Sequence, residues 1–357
     1  MKIALLTDTH YGCKKGDKNI HAYFEKFYTN VFFPTLKERN INSVIHLGDI
    51  FDVRKGIDYW SLKWAEDVVF IPMCDNDIYM TVIVGNHDTF YKNTNSLNSP
   101  DILLYDKFSN ITIVSNITTR KYGSTEICLI PWINKENYDS TMEFIQNTTA
   151  TIAMGHLEID GFIAHQGHVH QGGLNRKIFS DKFKKTFSGH FHHRNDDGKV
   201  FYLGNTYQMY WNDYKDVRGF HIFDTETREM EFIKNPFTMF NKIVYDDGQQ
   251  DFESWKNTDV SGYKETYVKL VVVNKQNPYL FDHVLDNLYK VGCADISIVE
   301  DFTDTVIVDD EIIDQAEDTI TILSKYIDAL ELDVEPDRLK NIMKELYIEA
   351  LNTEVAD

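Results

Sequence analysis

A chain of 357 residues, 43% hydrophobic and 26% charged, can bury one large core with an appendage, or two to three domains. No apolar run approaches the roughly 20 residues of a membrane span, and Met1-Lys2 runs straight into Ile3-Ala4-Leu5-Leu6 without a secretory pattern, so a cytoplasmic protein is expected. The net charge of −20 argues against gripping nucleic acid by bulk charge, leaving local contacts through metal ions or a partner.

That charge is lopsided: residues 301–357 hold 17 acidic and 4 basic side chains, a net of −13, which leaves −7 for the first 300. Cys13, Cys74, Cys128 and Cys293 show no C-x-x-C spacing, which suits a reducing cytoplasm better than a disulfide framework or a cysteine-built zinc site.

Residues 2–7 read as a buried strand closed by Asp8-Thr9-His10. From Asn19 to Arg39, Ile20, Tyr23, Phe24, Phe27 and Val31 recur at helical spacing. A strand at 41–47 delivers His46-Leu47-Gly48-Asp49, with Asp52 three residues on. A helix over 59–71 follows, then the apolar run 78–84, closed by Gly85-Asn86-His87-Asp88. Short strands are expected at 111–114 and 126–131 and a helix near 138–147. Two further runs end in Gly155-His156 and Gly189-His190-Phe191-His192, and a strand at 200–203 follows the second. Strands alternating with helices imply βαβ units and a largely parallel sheet covered on both faces. After about Asn205, residues 220–245 alternate as antiparallel strands, and 266–273, 278–291 and 295–299 read as strand, helix and strand. Ile313, Ala316, Ile320, Leu323, Ile327 and Leu330 keep the seam spacing of a coiled-coil-like helix, and Glu335-Pro336-Asp337 starts a second.

Five strand-end motifs therefore carry the chemistry: Asp8 with His10, Asp49, Asn86 with His87, His156, and His190 with His192. Each follows an apolar run, and a parallel sheet gathers such ends at one edge. Carboxylate, amide and imidazole donors without thiolate suit manganese, iron or zinc, and two such ions can clamp a phosphoryl centre. Gly167-His168-Val169-His170 copies the last motif, but Gly172-Gly173 follows and no strand leads in, so it reads as a loop. Asp52 and Asp88 are expected to orient ligands or cap turns, His46 to be a satisfied core histidine, and Trp60 and Trp64 to be core. Arg176, Lys177, Lys182, Lys184, Lys185 and Arg194, against Asp181 alone, make residues 176–194 the candidate for holding the phosphates of a substrate.

This ordered set resembles the calcineurin-like metallophosphoesterase superfamily, and within it the SbcD-type double-strand-break repair nucleases of the meiotic-recombination-eleven family. Size and layout are similar to the recombination nuclease subunits of T-even-like bacteriophages, which would place the chain in the host cytoplasm. The resemblance implies an α/β fold: a metallophosphoesterase β-sandwich flanked by helices (1–205), a small α+β capping, DNA-binding domain (206–305) and a C-terminal helical hairpin (306–357). It implies that Asp8, His10 and His192 hold one divalent ion, that Asn86, His156 and His190 hold the other, that Asp49 bridges them, and that the ions are manganese. His87 would stabilise or protonate the leaving 3′ oxygen. The activity implied is 3′–5′ exonuclease on duplex ends and single-strand endonuclease. The partners implied are DNA, an SbcC-type coiled-coil ATPase docked on the terminal helices, and a second copy through residues 59–100.

Two other readings compete. A phosphatase or cyclic-nucleotide phosphodiesterase of the same superfamily would share the motifs. Gly48-Asp49-Ile50-Phe51-Asp52-Val53-Arg54, however, separates Asp52 from Arg54, and G-N-H-D replaces the phosphatase G-N-H-E. A catalytically silent scaffold for an ATPase is disfavoured by the complete donor set.

Overall fold

The first apolar run is buried on both faces because the chain covers both. Strand β1 (Lys2–Leu6) sends Ile3 and Leu5 into one hydrophobic cluster and Ala4 and Leu6 into another. The structure is a computed structural model that describes residues 1–165, 168–248 and 252–300. The C-terminal helical hairpin expected at 306–357 lies outside the described residues.

Strands β2 (Ser43–His46), β3 (Tyr79–Ile83) and β4 (Ile111–Val114) continue parallel from β1. Next come β5 (Thr118–Tyr122), β6 (Thr125–Ile130), β7 (Ile152–His156), β8 (Ile163–His165) and β9 (His168–Val169). They are followed by β10 (Lys185–Gly189), β11 (Asn195–Asp196), β12 (Val200–Tyr202), β13 (Gly219–Asp224) and β14 (Met230–Lys234). Among the described residues these make two six-stranded mixed sheets, ordered β14-β13-β1-β2-β3-β4 and β11-β12-β10-β7-β6-β5, plus the β8-β9 hairpin.

The sheets pack face to face. Ile3, Leu5, Ile45 and Ile83 of the first meet Ile127, Leu129, Ile152, Met154 and Phe187 of the second in one buried cluster. The alternate residues face outward onto helices: Ala4, Val44 and Val82 pack with Phe24, Phe27, Phe32 and Phe70, and Cys128 and Ala153 pack with Ile145. Double coverage explains why the strands read as continuous apolar runs rather than as alternation. The expected β-sandwich flanked by helices is the observed fold, with two mixed sheets in place of one largely parallel sheet. The helix expected at 19–39 is built from Lys18–Phe27, a π-helical turn at Tyr28–Phe32, and Phe33–Glu38.

The sandwich extends beyond residue 205. β13 pairs antiparallel with β1, Lys2 opposite Asp224, and β14 pairs with β13, so residues 219–234 belong to the first sheet and not to an appendage. The physical reason is edge closure, since without β13 one whole side of β1 would carry unpaired backbone groups. The smaller layer begins after them. Strands β15 (Phe240–Asp246), β16 (Tyr267–Asn274) and β17 (Asp295–Glu300) run parallel, with the helix Pro278–Val291 between the last two. That helix buries Leu280, Phe281, Val284 and Leu288 against Tyr245, Val268 and Leu270 in a cluster of its own. Asn277 caps its start, accepting from the Leu280 amide, and Gly292 ends it at φ 82°.

Candidate metal centre

Parallel strands share a carboxyl edge, so the ends of β1, β2 and β3 lie side by side, as do those of β7 and β10. The two edges meet over very short distances. A Cβ on Gly48 would stand 2.5 Å from His156 Nδ1, and one on Gly189 would stand 2.9 Å from Asp8 Oδ2. Glycine therefore precedes these ligands because only a hydrogen fits between the sheets here.

The backbone at the ligands is strained. Asp8, His10, Asp49 and His190 have φ of 50°, 45°, 57° and 85°. Each such residue costs of order 1–3 kcal/mol, which the surrounding packing must over-determine. Asp88 provides much of that restraint: its buried carboxylate accepts from the amides of Gly85 (2.8 Å), Asp49 (2.8 Å) and Ile50 (3.0 Å). It thereby clasps the two turns that carry Asp49 and Asn86.

One group of donors comprises Asp8, His10 and His192. Thr7 Oγ1 donates to Asp8 Oδ2 at 2.5 Å, and the His190 amide to Asp8 at 3.1 Å. His192 Nε2 stands 3.9 Å from Asp8 Oδ1. His10 turns Nδ1 to the Asp52 carboxylate at 3.2 Å, while its buried Nε2 has no hydrogen-bond partner. A second group comprises Asp49, His156 and His190. His156 Nδ1 donates to the Leu47 carbonyl at 2.8 Å, leaving Nε2 facing Asn86 Oδ1 at 2.8 Å and Asp49 Oδ2 at 3.2 Å. His190 Nδ1 lies 2.9 Å from the same Asn86 oxygen. Electron-pair donors aimed at one another, beside an orphaned imidazole nitrogen, fit a cation between them. Asp49 Oδ2 faces both groups, 3.9 Å from His10 Nε2 and 3.2 Å from His156 Nε2.

The electrostatics separate donors already in ligand form from those that an ion must deprotonate: burial opposes charge on His10, yet Asp52 and Asp49 lift it to about 8, and burial raises Asp8. Burial, reinforced by neighbouring imidazoles, pushes His190 down to about 3 and His192 well below the usual range, so both are neutral, as ligands must be. Burial opposes ionisation of Asp49, but His156, His87 and His10 outweigh it and hold this carboxyl well below its usual range. Burial likewise opposes charge on His156, yet Asp49 beside it lifts that imidazole to about 9. Without an ion, protons occupy His156 and His10, and a metal must displace them. Manganese affinity is therefore expected to fall as pH is lowered below about 9, with proton release on binding. Calorimetry in buffers of different ionisation enthalpy measures this, and pH-independent binding would contradict it.

All the strand-end residues singled out in the sequence converge here. His87 joins them: its amide donates to Asp49 Oδ1 at 2.8 Å, and its Nδ1 donates to the Asp52 carbonyl at 2.6 Å. Asp52 thus orients both His10 and His87. His46 is a satisfied core histidine, 3.0 Å from Thr9 Oγ1, and Trp64 is core. Trp60 is 38% exposed and packs edge-on against His21. Contrary to the loop reading, His168 lies in the β8-β9 hairpin, and His170 pairs with Glu158 at 3.2 Å, outside the donor groups found among the described residues.

The basic segment is dispersed rather than gathered at the centre. Lys185 opens β10, roughly 16 Å of strand from His190, and donates to the Arg228 carbonyl; Lys184 precedes it at the same far edge. Lys182 donates to the Gln146 carbonyl, Arg176 pairs with Asp197, Lys177 is exposed on a short helix, and Arg194 stacks 3.6 Å over Phe232. Charge reversal at both Lys184 and Lys185 is therefore expected to leave cleavage of a short duplex within about twofold of wild type. A tenfold loss would return this edge to the substrate path.

Two contributors escaped the sequence reading. Buried Arg218 hydrogen-bonds the His192 carbonyl and Asn205, and pairs with Asp213 (2.6 Å) and Asp216 (2.9 Å), bracing the His190–His192 turn. Trp132 places its ring 5.2 Å from His190 and 6.0 Å from His156. The strand-end rule itself could have found Trp132, since it follows β6. Arg218 carried no local signal.

Comparison with known proteins identifies the family. The family model for calcineurin-like phosphoesterases matches residues 1–194. Exonuclease subunit 1 of Enterobacteria phage T4 is 32% identical over 360 residues, spanning 98% of this chain and 99% of that one. A solved archaeal phosphodiesterase, 15% identical, aligns over 66% of this chain and 100% of its own with a TM-score of 0.34. Among the described residues no helix is long and apolar enough to cross a membrane. The family match over residues 1–194, over half of the chain, and a full-length relative at 32% identity establish that the chain belongs to the calcineurin-like phosphoesterase family.

Proposed function

We propose that this chain is a metal-dependent DNA nuclease of the cytoplasm, a 3′–5′ exonuclease on duplex ends and a single-strand endonuclease, acting in break repair and recombination. The observation that carries the reading is Asp49 Oδ2 facing imidazoles from both donor groups, which suits one carboxylate shared by two cations. Asp8, His10 and His192 would hold one ion and Asn86, His156 and His190 the other, and manganese fits this oxygen and imidazole set. Divalent ions there would supply an acidified water and charge stabilisation for the phosphoryl oxygens. The chain contributes the rest. His156 is locked by Leu47 so that Nε2 points inward, His10 is turned by Asp52, and Asp88 holds both ligand turns. His87, pinned at Nδ1 by the Asp52 carbonyl, has Nε2 left to hold a proton for the leaving 3′ oxygen.

The relative's description as an exonuclease subunit supports a nuclease that works in a complex. The proposed partners are an SbcC-type ATPase engaging residues 306–357 and a second copy through 59–100, where Tyr59 and Leu97 stand 92% and 37% exposed and line an apolar cavity of about 410 Å³. Removal of residues 309–357 is expected to abolish co-purification with such an ATPase while sparing manganese-dependent cleavage; an intact complex refutes the docking assignment.

The decisive assay incubates the protein with manganese and end-labelled duplex DNA, beside p-nitrophenyl phosphate. Shortening of the labelled strand that His87→Ala loses supports the nuclease. Turnover of p-nitrophenyl phosphate with intact DNA would make the chain a phosphatase.

A further inference from the structure

Next to His156 lies a cleft of about 560 Å³, within the roughly 300–1,000 Å³ usual for small-ligand sites, to which the metal-centred chemistry assigns no role. Its walls include Trp132, Asn134, Lys135, Tyr138, Glu158 and Gly173. His156 itself lines the cleft, and the Trp132 ring beside it stands 5.2 Å from that of His190.

The main chain that carries the ring is held in place by polar scaffolding. The Trp132 amide donates to the Val84 carbonyl at 2.8 Å, tying it to the end of β3. Its carbonyl accepts from Asn95 Nδ2 at 2.8 Å and from Asn137 Nδ2 at 3.0 Å. Asn134 is buried and donates to Asn95 Oδ1 at 2.8 Å, closing the network. This support fixes the main chain from which the half-buried indole projects, and a wall fixed in advance loses little entropy when a flat ligand packs on it. Tyr138, 43% exposed, adds a second aromatic to the lining, and Lys135 is an exposed cation in the same wall. An aromatic face and a cation next to a phosphoryl-transfer centre match the two parts of a nucleotide, its base and its phosphate.

We infer that this cleft takes a nucleotide adjoining the scissile phosphate, with the Trp132 indole against its base and Lys135 facing a strand phosphate. The inference rests on the nuclease reading and adds a substrate subsite to it. Because every base has a π face, a wall of this kind accepts any sequence, as exonucleolytic digestion requires.

The test uses full-length protein with manganese and 3′-labelled duplexes carrying either a normal base or a tetrahydrofuran abasic residue, at the terminal or the penultimate position. Wild type is expected to lose about tenfold to a hundredfold in kcat/KM on one of the two abasic substrates. Trp132→Ala should lose a similar factor on the normal duplex, mainly through KM, and cut normal and abasic ends alike. Trp132→Phe, which keeps an aromatic face, should restore the discrimination, and Lys135→Glu should raise KM on all duplexes. Manganese binding by each variant is followed by calorimetry. The subsite is overturned if wild type cuts both abasic duplexes as well as the normal one, or if Trp132→Ala still discriminates. It is also overturned if both Trp132 variants lose manganese together, which would make the ring a support for the imidazoles. Failure of wild type to cut any duplex sinks the nuclease reading itself, and is seen before any variant is compared.

Discussion

Asp49→Asn is expected to lose bound metal and DNA cleavage together, with activity down by roughly a hundredfold or more, since loss of even an outer partner of a metal ligand costs about 10–100-fold. The substitution is isosteric. An asparagine Oδ1 can still accept the His87 amide, now 2.8 Å from Asp49 Oδ1, and Asp88 still clasps the turn through the backbone. What changes is the atom in place of Oδ2, which becomes an amide nitrogen facing His156 Nε2 and His10 Nε2. A donor nitrogen cannot coordinate a cation, and it removes the negative charge that two neighbouring ions would share. Metal content by mass spectrometry and cleavage of end-labelled duplex check both losses. A variant that keeps two ions and normal turnover would show that Asp49 does not join the donor groups.

His87→Ala is expected to separate the same two properties. His87 belongs to neither of the donor groups centred on Asp8 and Asp49; it forms a third trio with His10 and Asp52, but there its Nδ1 is spent on the Asp52 carbonyl. Metal content should therefore stay at the wild-type level. Turnover should fall about 10²–10⁴-fold, the usual contribution of a positioned general acid. The loss should lie in kcat and should shrink on a substrate whose leaving group needs no proton, such as a p-nitrophenyl ester of thymidine monophosphate. An equal loss on both substrates would assign His87 to binding or to support of His10, whose ring lies 4.9 Å away.

Much of the site could be read from local sequence because the chemistry is attached to a repeated local device. Each ligand set follows an apolar run, and strand direction alone then brings parallel ends to one edge. The glycines were also legible, as residues before ligands, although their reason was not. Gly48 and Gly189 are required by contacts across the two sheets, with His156 and Asp8, more than 100 residues away in sequence. Local patterns carry no information on such approaches.

The same limit explains the differences. The apolar pattern of β1 announces a strand buried on both faces, but not that one neighbour is β13, more than 200 residues later and antiparallel. The sandwich therefore continued past residue 205, where composition changes but sheet pairing does not. The basic cluster at 176–194 looked contiguous with the site because His190 is close in sequence. Strand β10 instead carries Lys185 and His190 to opposite edges, since an extended chain separates its ends by about 3.3 Å per residue. Sequence alone singled out the candidate donors and that they end strands, because donor type and strand periodicity are local properties. The tertiary structure alone decided which donors lie together, why glycine precedes them, and where Arg218 and Trp132 stand. Those depend on how two sheets meet, and packing between sheets is set by long-range pairing that no short stretch encodes.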